Sequence, residues 1–162
     1  MNQAYLLLGS NIDPERNILL ALEYLHENCN LLEVSHTWLT KPVGSDAADF
    51  LNTAAHVETE KDIVALKSIC IAHIENLLGR VRVADKNAPR TIDLDIIIFN
   101  GVIQDATLFK YAHLILPFSE LLPDLVDPAS KKSLAELARS IVKLKTAKKF
   151  KCLFPVVQNG PT

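Results

Sequence analysis

The sequence predicts an α+β domain built on an antiparallel sheet. Three observations carry that prediction. Short apolar runs of strand length alternate with two longer segments of helical period. Those helical segments are separated by two strand-like stretches rather than one. A later strand ends in Asn100-Gly101, the strongest short hairpin signal. At 162 residues the chain suits one domain with a core of its own. Hydrophobic residues make up 49% and charged residues 22%, which excludes disorder as the main state. Seventeen Lys and Arg stand against nineteen Asp and Glu, so any anion site must be local rather than a general basic surface.

Each element has a local cause. Residues 4–8 are an apolar run ended by Gly9-Ser10-Asn11, a buried strand and turn. Asp13-Pro14-Glu15 opens a helix, with Asp13 as cap and Pro14 at its first position, and Ile18, Leu19, Leu22 and Leu25 follow on one face. Leu32, Val34 and Trp38 alternate with polar neighbours, so 31–40 reads as one half-buried strand, broken by Lys41-Pro42-Val43-Gly44-Ser45. Residues 50–58 read as the next strand. Residues 62–78 hold Ile63, Leu66, Ile69, Cys70, His73, Ile74 and Leu77 on one stripe, a helix ended by Gly79. Residues 80–90 carry Arg80, Arg82, Lys86 and Arg90 without an apolar period, and are a loop. A strand over 91–99 follows. Pro117, Pro123 and Pro128 bracket short helical pieces, and 133–144 is a last amphipathic helix. The order is a βαββαβ core of ferredoxin-like type, with an added hairpin strand, C-terminal helices and helices on one sheet face. Residues 1–144 form the domain, and 145–162 are a tail that periodicity does not place.

Cys29, Cys70 and Cys152 are odd in number and far apart, against a zinc site or disulfide framework, and Cys70 reads as core. The first five residues lack a signal-peptide pattern and no apolar run reaches membrane-span length, which points to the cytoplasm.

The chemistry concentrates in Asp93-Leu94-Asp95. Alternation places both aspartates on one strand face with Ile97 and Phe99, and Leu94, Ile96 and Ile98 on the other. Two neighbouring carboxylates repel unless a cation or proton lies between them, and oxygen donors of this kind suit Mg²⁺. On spacing alone the pair could equally be a solvated pair near a strand start. The cationic loop before it adds what a magnesium polyphosphate needs, since Arg offers a bidentate fork to phosphate oxygens. There is no Walker A or GxGxxG loop, so side chains would have to hold the phosphates.

Tyr5-Leu-Leu-Leu-Gly-Ser-Asn11, Phe50-Leu-Asn52, Ile74-Glu75 with Gly79-Arg80-Val81-Arg82, and Ala88-Pro-Arg-Thr-Ile-Asp-Leu-Asp95 stand in that order. Together they resemble the 6-hydroxymethyl-7,8-dihydropterin pyrophosphokinase family of folate synthesis, over about residues 4–142. The resemblance implies a ferredoxin-like fold and transfer of diphosphate from ATP to the pterin with release of AMP, using two Mg²⁺ ions. It implies that Asp93 and Asp95 bind the metal. It assigns Arg80, Arg82, Arg90, Glu75 and Ile96, with the two aspartates, to ATP, and makes Arg80, Arg90 and Asp95 the catalytic set. It turns Thr40, Val43, Phe50 and Asn52 toward the pterin, Phe50 as a stacking ring. The partners it implies are ATP and a reduced pterin, for a monomer without nucleic acid or membrane.

The chain departs from the family after the hairpin. The usual Pro-His pair and following Arg have no counterpart, the segment 107–117 is shorter by about seven residues, and His113 stands where a second stacking ring is expected. Lys110 or Tyr111 could replace what is lost. Asn87 stands where many relatives carry an aromatic. The alternative reading is therefore a divergent pterin- or nucleotide-binding relative without catalysis. A single-stranded RNA-binding domain ranks below both, because the sequence offers neither an aromatic RNP-like motif nor net positive charge.

Overall fold

The computed structural model describes residues 1–44, 46, 48–85 and 88–154. The strands are β1 (Asn2–Ser10), β2 (Asn30–Val34), β3 (Trp38–Thr40), β4 (Phe50–Thr59), β5 (Asp93–Phe99), β6 (Val102–Ile103) and β7 (Lys148–Lys149). Their order in one sheet is β6-β5-β1-β4-β3-β7, with β2 also paired to β4, and every pairing is antiparallel. Helix α1 (Pro14–Asn28) follows β1. Helix α2 covers 63–77, α3 is Ala112–Leu121 and α4 is Leu134–Lys143. The βαββαβ order and the hairpin strand hold as predicted. Asn100 and Gly101 both take positive φ, 48° and 79°, as the hairpin turn requires.

Helices cover both faces of the sheet, not one. On the first face Leu6 and Leu8 of β1 pack with Ile18, Leu22 and Leu25 of α1 and Leu66 and Ile74 of α2. On the other face Leu7, Ala54 and Ile97 pack with Leu114, Ile115 and Phe118 of α3 and Leu134 of α4. Alternation along β1 supplies both cores, since successive side chains point opposite ways.

Four local expectations are corrected. The stretch 31–40 is two strands, because Ser35 and Thr37 turn inward between them: the Ser35 hydroxyl accepts from Ala54 N, and the Thr37 and Thr53 hydroxyls share a hydrogen bond. Asp13 makes no side-chain cap and takes a left-handed φ of 42° in place of the extended backbone of a usual cap, while Pro14 does open α1. Pro117 lies inside α3 and does not bracket it. In β5 a bulge opposite Tyr5 and Leu6 inserts Ile97 as an extra residue. Ile97 and Ile98 therefore both face the second core, and Phe99 returns to the face of Leu94.

Helix α2 is not a uniform α-helix. A π-helical segment, Leu66–Ile71, separates an α-turn at Ile63–Ala65 from Ala72–Leu77. The wide turn moves the inward stripe forward by one residue. Ile69, His73 and Leu77, expected inside, are exposed, whereas Ile71 and Glu75 are buried. The free thiols Cys29 and Cys70 lie together at this first core, and their proximity shifts Cys29 down and Cys70 up.

Residues 145–154 continue onto the sheet edge, where β7 pairs with β3 and Phe150, Leu153 and Phe154 pack on the first core; 155–162 lie outside the described residues. No helix among the described residues is long and apolar enough to cross a membrane.

Candidate active site

The C-terminal end of α2 builds the centre of the site. Gly79 takes φ 75°, its N–H donates to the Asn76 carbonyl, and Arg80 N–H donates to the Glu75 carbonyl. This left-handed cap reverses the chain and brings the Arg80 side chain back over Glu75. The Glu75 carboxylate, 5% exposed, accepts from Arg80 Nη1 at 2.9 Å, Arg82 Nη2 at 3.0 Å and the Leu94 backbone N–H at 3.1 Å. Arg80 Nη1 also donates to Asp93 Oδ1, and Arg90 Nη1 donates to Asp93 Oδ2 at 2.6 Å. Burial alone would lower Arg80, but the charges of Asp93 and Glu75 outweigh it and hold its pKa above the ordinary arginine value.

Asp95 is the exception in this network. It opens to solvent, and no hydrogen-bond partner reaches it among the described residues. Protein nonetheless surrounds its carboxyl on most sides. That desolvation, joined by the charges of Asp93 and Glu75 and opposed by Arg80, pushes its pKa up to about 6. The group is a carboxylate short of positive charge.

The turn after β1 fixes the arginine loop. Asn11 N–H donates to the Arg90 carbonyl at 3.1 Å, Arg90 N–H donates to Asn11 Oδ1 at 2.7 Å, and Ser10 Oγ donates to the Thr91 carbonyl at 2.6 Å. Gly-Ser-Asn thus holds the backbone from which Arg90 projects.

Two clefts meet at Arg90. The first, of about 220 Å³, joins Thr40, Val43, Phe50, Asn52 and His113 to Arg90, Asp93 and Asp95. All five residues expected to face the ring therefore share one space with both aspartates. The second, of about 200 Å³, is walled by Arg80, Arg82 and Arg90, with Asp85 and Pro89 beside them. Glu75 lies behind it, under Arg80 and Arg82. The Ile96 side chain packs against the first core and lines neither cleft. Lys86 and Asn87 lie outside the described residues.

Within the first cleft, Asn52 Nδ2 donates to Thr40 Oγ1 at 2.8 Å, which leaves Asn52 Oδ1 over Gly9. A Cβ on Gly9 would stand 3.0 Å from that oxygen. The His113 ring stacks on Tyr111, with centroids 5.6 Å apart and planes 17° apart. Burial, partly opposed by Asp105, lowers the His113 pKa, so the ring is neutral at pH 7. Lys110 sits 5.1 Å over the Tyr111 ring and does not line the cleft.

Sequence reasoning missed several residues. Lys41, Pro42, Leu7 and Gly9 complete the first cleft, and Asn11 anchors Arg90. The Gly-Ser-Asn motif was a signal for the last two. Lys41 carried none, because a lysine in a polar break looks like any surface lysine.

The family model of 7,8-dihydro-6-hydroxymethylpterin-pyrophosphokinase (HPPK) matches residues 5–123. The chain belongs to the HPPK family. Among HPPK relatives, the 2-amino-4-hydroxy-6-hydroxymethyldihydropteridine pyrophosphokinase of Bacillus subtilis is 42% identical over 103 residues, 61% of this chain and 60% of that protein. The enzyme of the same name from Pseudomonas aeruginosa is 31% identical, over 77% of this chain and 83% of its own. The folic acid synthesis protein fol1 of Schizosaccharomyces pombe is 35% identical over 82% of this chain, which spans only 20% of that protein. The wild-type HPPK-DHPS of Plasmodium falciparum superposes with a TM-score of 0.72 at 12% identity, covering 91% of this chain and 44% of that one. This last likeness shows the HPPK domain fold, and the chain is similar to one part of these longer proteins.

Proposed function

We propose that the chain transfers the β,γ-diphosphate of ATP to 6-hydroxymethyl-7,8-dihydropterin, releasing AMP, as a step of folate biosynthesis. The observation that carries this reading is the position of Asp93 and Asp95. They stand in the ring-sized cleft beside Arg90, and Arg90 also walls the cleft of arginines. A flat heterocycle in the first cleft would present its hydroxyl to a triphosphate lying across the second.

The donor set fits Mg²⁺. Asp93 and Asp95 offer hard oxygen ligands, and the unpartnered, upshifted Asp95 carboxyl needs a cation. In this reading the two aspartates hold both ions, which when bound neutralise phosphate oxygens and polarise the attacked phosphorus. The chain's own residues do the rest. Arg80, Arg82 and Arg90 turn their remaining guanidinium N–H donors to phosphate oxygens. Asn52 and backbone groups match the pterin edge, Phe50 covers one ring face and neutral His113 the other. The pterin hydroxyl oxygen bonds to the β-phosphorus and its proton is released to water, while the bond from that phosphorus to the α-phosphate oxygen breaks and AMP carries the electron pair away. Positioning and charge supply the catalysis.

This reading places a monomer in the cytoplasm, acting on ATP and a reduced pterin without nucleic acid or membrane. A second reading, binding without transfer, is favoured by Lys110: engaged with Tyr111, it does not replace the missing cation.

Two variants probe the ring wall by calorimetry. Gly9→Ala displaces Asn52 Oδ1, and pterin affinity falls about tenfold, the worth of one hydrogen bond, with ATP binding unchanged. His113→Phe keeps pterin affinity within about threefold, whereas His113→Ala loses about tenfold, since a stacked ring is worth about 0.5–1.5 kcal/mol. Because His113 is already neutral, pterin affinity carries no histidine step between pH 7 and 8.

A further inference from the structure

One carboxylate outside both clefts ties two elements of the ring cleft together. Strand β3 ends in Thr40 and helix α3 begins beside His113, and both residues line the ring cleft. Glu120, near the far end of α3, reaches back to the β3 side. Its Oε2 accepts from the His36 backbone N–H at 2.9 Å and lies 2.9 Å from His36 Nδ1. Its Oε1 accepts from Trp38 Nε1 at 2.9 Å. Trp38 and Thr40 lie two residues apart and share a face of β3, so the bond that fixes the indole also orients the threonine.

The C-terminal segment closes over this node. Lys149 Nζ is 3.9 Å from Glu120 Oε1 and 5.7 Å from the centre of the Trp38 ring. Trp38 and Leu39 pair with Lys149 and Lys148, Phe150 N–H donates to the Thr37 carbonyl at 2.7 Å, and Thr37 N–H donates to the Lys151 carbonyl at 3.3 Å. Phe150, Leu153 and Phe154 anchor the strap on the first core. A three-residue strand such as β3, paired for three positions with β4, is too short to hold its end by itself. None of these clamp residues lines a cleft, and the strap lies beyond residues 5–123.

We propose that Glu120 is a positioning residue for the ring cleft, held in register by the strap 148–154, and that together they set the spacing of Thr40 from His113. The proposal deepens the pterin reading and rests on it for its kinetic arm. Its structural arm is independent of any substrate.

The test compares the full chain with Glu120→Ala, Glu120→Gln and a chain ended after Lys145. Amide hydrogen exchange over 37–41 and separate KM values for ATP and 6-hydroxymethyl-7,8-dihydropterin are the readouts. In Glu120→Ala, exchange at 38–40 rises at least about tenfold while β1 and α1 stay protected, and pterin KM rises about tenfold with ATP KM within about twofold. Glu120→Gln, which keeps one acceptor oxygen, recovers most of both. The shortened chain follows Glu120→Ala if it folds, and Glu120→Ala decides alone if it does not. Unchanged exchange at 38–40 overturns the clamp, as does an equal rise in both KM values, which a general loss of structure gives. If the full chain shows no turnover, the pterin reading fails, and the exchange arm still decides the clamp.

Discussion

Asp95→Asn is expected to abolish turnover and to make the protein more stable. The loss of activity is at least about a thousandfold, because the proposed Mg²⁺ site loses one of its two carboxylate charges where a polyanion must be neutralised. The gain in stability follows from linkage. The folded carboxyl sits at about 6, above its ordinary value of 3.8. It binds its proton more tightly folded than unfolded, so stability is fullest below pH 4 and is lost as pH rises through 6. At pH 7 the wild-type chain carries that cost and the amide does not. The carboxyl is open to water, so the full shift overstates the effect; after screening about 1 kcal/mol remains, or ~2–4 °C in Tm. Calorimetric scans at pH 5 and pH 7.5 check it: the variant's advantage grows with pH. Added Mg²⁺ should raise the Tm of the wild type and leave the variant nearly unchanged.

Glu75→Ala is the second large effect, and it runs the other way. Glu75 is a buried anion with three donors, two of them guanidinium groups. Removing it leaves the Leu94 N–H without its acceptor and strips Arg80, itself largely buried, of one counter-charge. Breaking a buried ion pair by removing one partner costs about 3–5 kcal/mol, and Asp93 remains on Arg80 to keep the loss near the lower figure. A Tm drop of ~6–12 °C follows, with ATP affinity lowered because the arginine wall loses its mount. Glu75→Gln keeps the Leu94 bond and should lose about half as much. Urea unfolding of the three proteins checks the order.

These two residues show what could be read from the chain. Asp93 and Asp95 were legible because strand alternation is local: two residues apart means one face. The arginines were legible by charge, and Gly-Ser-Asn by turn chemistry. Glu75 was legible only through the resemblance, since no periodicity places a glutamate inside a helix stripe. What buries it is the π-turn at Leu66–Ile71, an insertion in the helical phase that composition does not announce. The bulge at Ile97 hid in the same way, because one extra residue in a strand leaves no mark until its partner strand is known. The second helical layer and the strap on β3 depend on long-range pairing. Periodicity does not place the lysine-rich segment after 144, yet its apolar residues Phe150, Leu153 and Phe154 find the core.

AMP release measures the transfer itself. Purified protein is given ATP and 6-hydroxymethyl-7,8-dihydropterin, with and without Mg²⁺, and AMP is followed beside the pterin diphosphate. AMP and pterin diphosphate are expected in equal amounts, dependent on both the pterin and Mg²⁺. Folded protein that binds both substrates and releases no AMP would contradict it.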